Sequence, residues 1–500
     1  MKLRVFAILF LIVGLGSALA ADNKATVKKG AVELSFCEIR GFSGTALCGE
    51  YEVFENRETM TGRKIAMRVV VIPAQSENPL PDPVFFFMGG PGQGAADVAG
   101  FVASGNAALS SMRDLVFIDQ RGTGSSNGLK CDTTGPPDQL GTYLQDMFEP
   151  AYVNACLEKL RANADLTLYT TEIAMDDIDE IRAALGYQQI NVTGGSYGTR
   201  AVMTYMRRHP ETVRTAFIRG IAPAGEYIPA GFARDAQAAL DDLIADCKAD
   251  SACNKAFPNF GENVTKILEQ VKKEPVSVSL MNPMSQSQET VKLGFGPLVT
   301  IIRAMLYGTQ RSAQLPAVVE LAANGEWAPI TFAAAMYSRG IGQGIADGLY
   351  LSVTCAEDLP YFDHKLWRKR SQTSFLGSYR IDQQAGACDR WPRGKVSDAF
   401  FKPLRSAIPT LIMSGEVDPV TPPAMGEKVA KYLSNSLHVV IPNAAHGMGG
   451  ANLCMQSLYG QFLADAKVEG LDPGCALEVK RPPFQTTEQV LQQLPGGSGR

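Results

Sequence analysis

Apolar and polar positions follow two rhythms along this chain. Residues 27–74 carry β-type runs in which Lys64-Ile-Ala-Met-Arg-Val-Val-Val-Ile72 alternates and then turns wholly apolar, predicting an opening antiparallel hairpin or meander. From residue 83 the runs are short and continuous: Pro83-Val-Phe-Phe-Phe-Met88, Asp114-Leu-Val-Phe-Ile118, Ile190-Asn-Val-Thr193, Thr215-Ala-Phe-Ile-Arg219, Ile408-Pro-Thr-Leu-Ile-Met-Ser414 and Leu437-His-Val-Val-Ile441. Such runs suit central strands covered on both faces. Helical spacing lies between them; Ala174, Ile178, Ile181 and Leu185 share one face, and Gly186 stops the helix. Strand and helix in alternation predict an α/β fold with a mostly parallel central sheet and helices on both faces.

After residue 219 the pattern changes to helices at 231–250, 261–273, 293–307, 312–324 and 330–340, with a small hairpin between 276–280 and 290–293. Residues 222–395 therefore read as a mostly helical cap inserted into a core made of residues 21–221 and 396–486. The Gln/Gly-rich residues 487–500 are expected to be a disordered tail.

Residues 1–20 place Lys2 and Arg4 before an apolar run and close on Ala18-Leu19-Ala20, the plan of a cleaved signal peptide. Its apolar run is short for a membrane span, and no span is expected in the mature chain. The whole chain has a net charge of −4, a mild acidity that gives no reason to expect a nucleic-acid partner. All ten cysteines follow the signal. An even count in an exported chain favours disulfides, and consecutive pairing closes short loops: Cys37 with Cys48, Cys131 with Cys156, Cys247 with Cys253, Cys355 with Cys388, and Cys454 with Cys475. With no Cys-x-x-Cys and four histidines, no metal site is expected.

The stretch with the clearest chemistry is Gly194-Gly-Ser-Tyr-Gly-Thr199, preceded by a buried strand and followed by a helical segment. It is the pattern of a nucleophile elbow, where a strand reverses into a helix with Ser196 at the apex. A serine hydroxyl needs a base, and the base needs an orienting carboxylate. Asp418 and His446 lie just past apolar strands and follow Ser196 in the chain order of this arrangement. His209, His364 and His438 sit at a helix end, in a polar part of the insertion and within a strand, respectively. The Gly89-Gly-Pro-Gly92 turn lets backbone approach a ligand, so the N–H groups of Gly90 and Tyr197 are the expected oxyanion hole. Asp119 and Arg121 read as a charged pair pinning a loop behind the site. The chemistry expected is acyl transfer.

These motifs, with Asp119-Gln-Arg-Gly-Thr-Gly124, Gly415-Glu-Val-Asp418, Ala445-His446-Gly447, Cys48-Gly-Glu-Tyr-Glu-Val-Phe-Glu-Asn56 and Phe232-Ala-Arg-Asp-Ala-Gln237, resemble those of exported α/β-hydrolases of the proline iminopeptidase and tripeptidyl aminopeptidase type, with a TAP-like carboxy-terminal segment. The resemblance spans nearly the whole mature chain. It implies an α/β-hydrolase fold and a serine aminopeptidase that releases amino-terminal residues or short peptides without a cofactor. It also implies carboxylates near the cap that hold the substrate's ammonium, for which Glu357 is the first choice and Asp358 the second. Met88 departs from the histidine that cytoplasmic proline iminopeptidases usually carry there, which weakens a transfer of strict proline preference. The other readings are a secreted carboxylesterase or lipase acting on a small acyl substrate, and a non-catalytic binding protein on the same fold.

Overall fold

The computed structural model describes residues 26–494 apart from 134, 450 and 451. The expected signal segment and residues 495–500 lie outside the described residues. The described residues contain twelve strands: β1 (Thr26–Lys29), β2 (Val32–Cys37), β3 (Ala46–Phe54), β4 (Lys64–Ile72), β5 (Val84–Phe87), β6 (Leu115–Ile118), β7 (Ile190–Ser196), β8 (Val213–Ile221), β9 (Val276–Asn282), β10 (Ser287–Leu293), β11 (Thr410–Gly415) and β12 (Ser436–Ile441). Ten form one sheet in the order β1-β2-β3-β4-β6-β5-β7-β8-β11-β12, and β9 with β10 forms a separate hairpin. The sheet is antiparallel from β1 through the β4–β6 pair and parallel from β6 to β12.

Side-chain pattern accounts for this division. β2 alternates buried Val32 and Leu34 with exposed Glu33 and half-buried Ser35, whereas β5, β6 and β11 are buried at every position. Successive side chains of a strand face opposite ways. Phe85 accordingly joins Val116 and Val192 in a core beneath helices Thr171–Ala184 and Tyr197–Arg208, while Phe86 joins Phe117 and Met413 in a second core beneath helices Ala95–Gly105 and Asn452–Asp465.

A third core unites helices Phe232–Ala249, Phe260–Lys273, Phe295–Met305, Leu315–Ala323 and Ala328–Gly344 with Leu140 and Leu144. The later part of the expected insertion behaves differently. Helices Asp347–Glu357 and Tyr379–Cys388 send Leu351, Cys355 and Ala387 into the core beside the sheet. Neither segment is among the helices expected from the sequence, and helical periodicity carries no information on which core a helix faces.

The tail expectation also needs correction. Thr487–Leu491 is a helix that starts with a reciprocal capping box between Thr486 and Gln489, and Val490 is buried against the third core. Gln-rich composition masked that cap. The ten cysteines are joined in consecutive pairs, Cys37–Cys48, Cys131–Cys156, Cys247–Cys253, Cys355–Cys388 and Cys454–Cys475. Among the described residues no helix is long and apolar enough to cross a membrane.

Candidate active site

β7 ends at Ser196 and a helix begins at the next residue. The reversal holds Ser196 at φ 57° and ψ −129°, a conformation that persists only where the surroundings enforce it. Here two close approaches enforce it. A Cβ on Gly194 would stand 2.5 Å from the Gly198 carbonyl oxygen, and one on Gly198 would overlap the Phe87 carbonyl. Strand, turn and helix therefore close only with glycine at both positions.

Asp418 follows β11 and His446 follows β12, so parallel strands deliver both to the sheet edge where Ser196 stands. A Cβ on Gly220 of β8 would meet His446 Cε1 at 3.2 Å, which places the imidazole over the end of the strand that pairs with β7. His446 Nδ1 lies 2.8 Å from Asp418 Oδ2 and 3.0 Å from Thr421 Oγ1. Asp418 is 3% exposed. Its Oδ1 accepts from the N–H groups of Val420 (2.8 Å) and Thr421 (2.9 Å), and its Oδ2 accepts the Thr421 hydroxyl (2.7 Å). Because that hydroxyl donates to Asp418, it can only accept from His446, so this network assigns the proton to Nδ1 and leaves Nε2 free as a base. Burial opposes ionisation of Asp418, but His446 and these hydrogen bonds outweigh it and hold its pKa below the usual value. Ser196 and His446 face one cavity, with no direct hydrogen bond between them among the described residues. Such contacts often tighten only around substrate.

The turn after β5 abuts the elbow. A Cβ on Gly89 would be 3.4 Å from Ser196 Cβ, and Gly90 lines the cavity beside Ser196. Tyr197 opens the helix, so its N–H has no carbonyl one turn back to bond. Its side chain is buried below, sharing a 2.7 Å hydrogen bond with Thr171. The other histidines bond elsewhere: His209 with Asp176, His364 with the Leu359 carbonyl and His438 with Ser414.

Glu357 and Asp358 do not reach the cavity, contrary to the expectation that they hold a substrate amine. Both are at most 1% exposed and lie under the elbow helix. Asp358 takes both terminal nitrogens of Arg200 at 3.0 Å and the Ile228 N–H at 3.1 Å. Glu357 accepts the Thr171 N–H (2.6 Å) and hydroxyl (2.8 Å), with Arg200 at 3.5 Å. Their oxygens are engaged in fastening the helix that carries Ser196, which the resemblance alone could not distinguish from facing substrate. Arg121 is a comparable fastening. It is fully buried, grips Asp177 at 2.5 and 2.9 Å, and donates to the carbonyls of Phe54, Glu55 and Leu168. Asp119 accepts the N–H groups of Ala96 and Ser125, and burial pushes its carboxyl up to about 6.

Ser196, Gly90 and His446 line a cavity of about 940 Å³ roofed by the third core. Its carboxylates are Asp146, Glu149, Glu226 and Asp347; its guanidiniums are Arg219, Arg303 and Arg380. Sequence reasoning missed the arginines, which carry no local motif. It also missed Thr421, for which the spacing Asp418-Pro-Val-Thr421 was a usable sign of a side chain capping its own turn.

Residues 82–256 match the family described as alpha/beta hydrolase fold, and residues 373–475 match the family described as TAP-like protein. Similar curated proteins include the serine protease Hip1 of Mycobacterium tuberculosis, 24% identical with 79% of this chain and 80% of that protein covered. The tripeptidyl aminopeptidase of Streptomyces lividans is 23% identical over 73% of this chain and 70% of its own length. The proline iminopeptidase of Neisseria gonorrhoeae is 29% identical over 29% of this chain and 35% of its own. With the parallel sheet, the serine elbow and these matches together, the chain has the α/β-hydrolase fold and is a hydrolase enzyme similar to serine peptidases, with a carboxy-terminal part that matches the TAP-like family.

Proposed function

We propose that this chain is an exported serine aminopeptidase that releases amino-terminal residues or short peptides through an acyl-enzyme. Ser196 Oγ attacks the scissile carbonyl while His446 Nε2 takes its proton. Asp418 holds the imidazole tautomer, and the N–H groups of Gly90 and Tyr197 stabilise the oxyanion. His446 then returns the proton to the leaving amine and activates the water that releases the acyl group. The observation that carries this reading is the Asp418–His446 pair at 2.8 Å, whose histidine lines the same cavity as a serine held at φ 57°. The names of the similar proteins support peptides as substrates. Counter-charge for the ammonium comes from the cavity carboxylates instead of Glu357. Glu226 is paired with Lys428 at 2.6 Å, whereas Asp146, Glu149 and Asp347 have no ion-pair partner among the described residues. Export is supported by the signal-like residues 1–20 and by five disulfides.

Aminoacyl and tripeptidyl anilides, their amino-blocked forms and simple acyl esters, assayed side by side, test the proposal. Turnover of free-amine anilides with loss on blocking is the expected result. Equal turnover of blocked and free forms, with esters preferred, would assign the chain to the carboxylesterases instead.

A further inference from the structure

Arg303 lies on helix Phe295–Met305 in the cavity roof, is 8% exposed and lines the cavity. Among the described residues it has no carboxylate within 4.0 Å, and its buried Nε and Nη2 have no hydrogen-bond partner. What it does have is aromatic: its guanidinium carbon sits 3.8 Å from the centre of the Phe232 ring and 5.1 Å from that of Tyr307. Rings attract a cation over their faces. The N–H bonds, however, lie in the guanidinium plane, so those contacts leave the donor edge open. Arginine stays charged at any working pH, and a buried cation with empty donors is costly unless something supplies an anion. Arg380, 7% exposed, shares the same Phe232 ring at 6.0 Å and donates to Tyr350, again without a carboxylate partner among the described residues.

The position is defined relative to the chemistry. Tyr307 lies edge-on to His446 with ring centres 5.2 Å apart, and its carbonyl accepts the Gly447 N–H at 3.1 Å. Through that ring the guanidinium is within about 10 Å of the imidazole. An extended peptide advances roughly 3.3–3.6 Å per residue. Along an extended peptide a group bonded to Arg303 therefore belongs to a residue within about three places of the scissile bond.

We propose that Arg303 is a specificity-determining residue that binds a substrate carboxylate, making acidic or short free-acid peptides the preferred substrates of this site. The planar fork suits a carboxylate bidentately, and the two open edge nitrogens, Nε and Nη2, are one such fork. The carboxylate is either an Asp or Glu side chain or the terminal carboxylate of a short peptide; both present the same two oxygens. The proposal rests on Ser196 acting as the nucleophile.

Two matched pairs test it. Ala-Ala-Glu anilide against Ala-Ala-Gln anilide reads the side-chain source; trialanine against its amide reads the terminal source. In at least one pair the wild-type enzyme is expected to favour the carboxylate by about 10- to 100-fold in kcat/KM, mainly through KM, as befits a hydrogen-bonded charge. Arg303→Met is expected to bring that ratio near one, and Arg303→Lys, which keeps charge but loses the fork, to give an intermediate ratio. Uptake of a phosphonate at Ser196 shows that each variant is folded at the site. Wild-type ratios near one in both pairs overturn the proposal, as does a ratio that survives in Arg303→Met. If the wild-type protein hydrolyses nothing and takes up no phosphonate, the nucleophile assignment fails instead, which separates the two outcomes.

Discussion

Replacing Asp418 by asparagine changes one atom in a group whose every contact is defined. Oδ1 can keep the Val420 and Thr421 N–H bonds at 2.8 and 2.9 Å. The new amide then faces the Thr421 hydroxyl and the Nδ1–H of His446, both of which donate to the carboxylate in the native protein. Three donors cannot share that space, so His446 is expected to move its proton to Nε2, the nitrogen that must receive the Ser196 proton. Loss of the right tautomer in a serine triad costs about 10⁴ in kcat, equivalent to about 5.5 kcal/mol of transition-state stabilisation. The assay is kcat with saturating anilide, using circular dichroism and phosphonate uptake to confirm the fold. Stability provides a second readout. The folded-state pKa of Asp418 lies below its unfolded value, so its contribution is present above about pH 3.9 and is lost as pH falls through the folded value. Asp418→Asn should remove that acid-side dependence. A variant that keeps kcat within tenfold of wild type would refute the role given to Asp418.

Two further predictions concern the frame around the site. One Arg200 faces two buried carboxylates and is bidentate to Asp358, and burial pushes Glu357 up to about 7 against its pull. Because that value is raised, the stability linked to protonated Glu357 is full below about pH 4.3 and is lost as pH rises through about 7, on the order of 3 kcal/mol. Thermal melts from pH 4 to 8 should show this decline in wild type and its absence in Glu357→Gln, while KM for free-amine anilides stays within twofold; an identical decline in both proteins, or a large rise in KM, contradicts this placement. The Cys355–Cys388 bridge closes a separation of 33 residues, for which loop entropy predicts about 3–4 kcal/mol. The double alanine variant should lower the denaturant midpoint accordingly, and an unchanged midpoint would count against it.

Much of this arrangement is legible in the sequence because its causes are local. Continuous apolar runs such as Val84–Phe87 identify strands covered on both faces, and Gly194 and Gly198 flank the serine because no side chain fits there. Asp418 and His446 stand just beyond strands whose parallel pairing brings their ends together. What could not be read depends on contacts distant in sequence. Glu357 and Asp358 look equally suited to a ligand or to Arg200 until the helix Asp347–Glu357 is seen packing beside the sheet. Arg303 is an ordinary helical arginine in sequence, and only the fold surrounds it with Phe232 and Tyr307 without an anion. The Thr486–Gln489 capping box was local, yet the glutamine-rich composition around it hid the short helix that it starts.

The central claim is that Ser196 is the nucleophile. Incubation with a fluorophosphonate followed by peptide mass spectrometry measures it directly. A single adduct on the peptide containing Ser196, formed in step with loss of hydrolysis, is the expected result, with neither adduct nor activity in Ser196→Ala. An adduct on another residue, or a Ser196→Ala protein that still hydrolyses its substrates at a comparable rate, would contradict it.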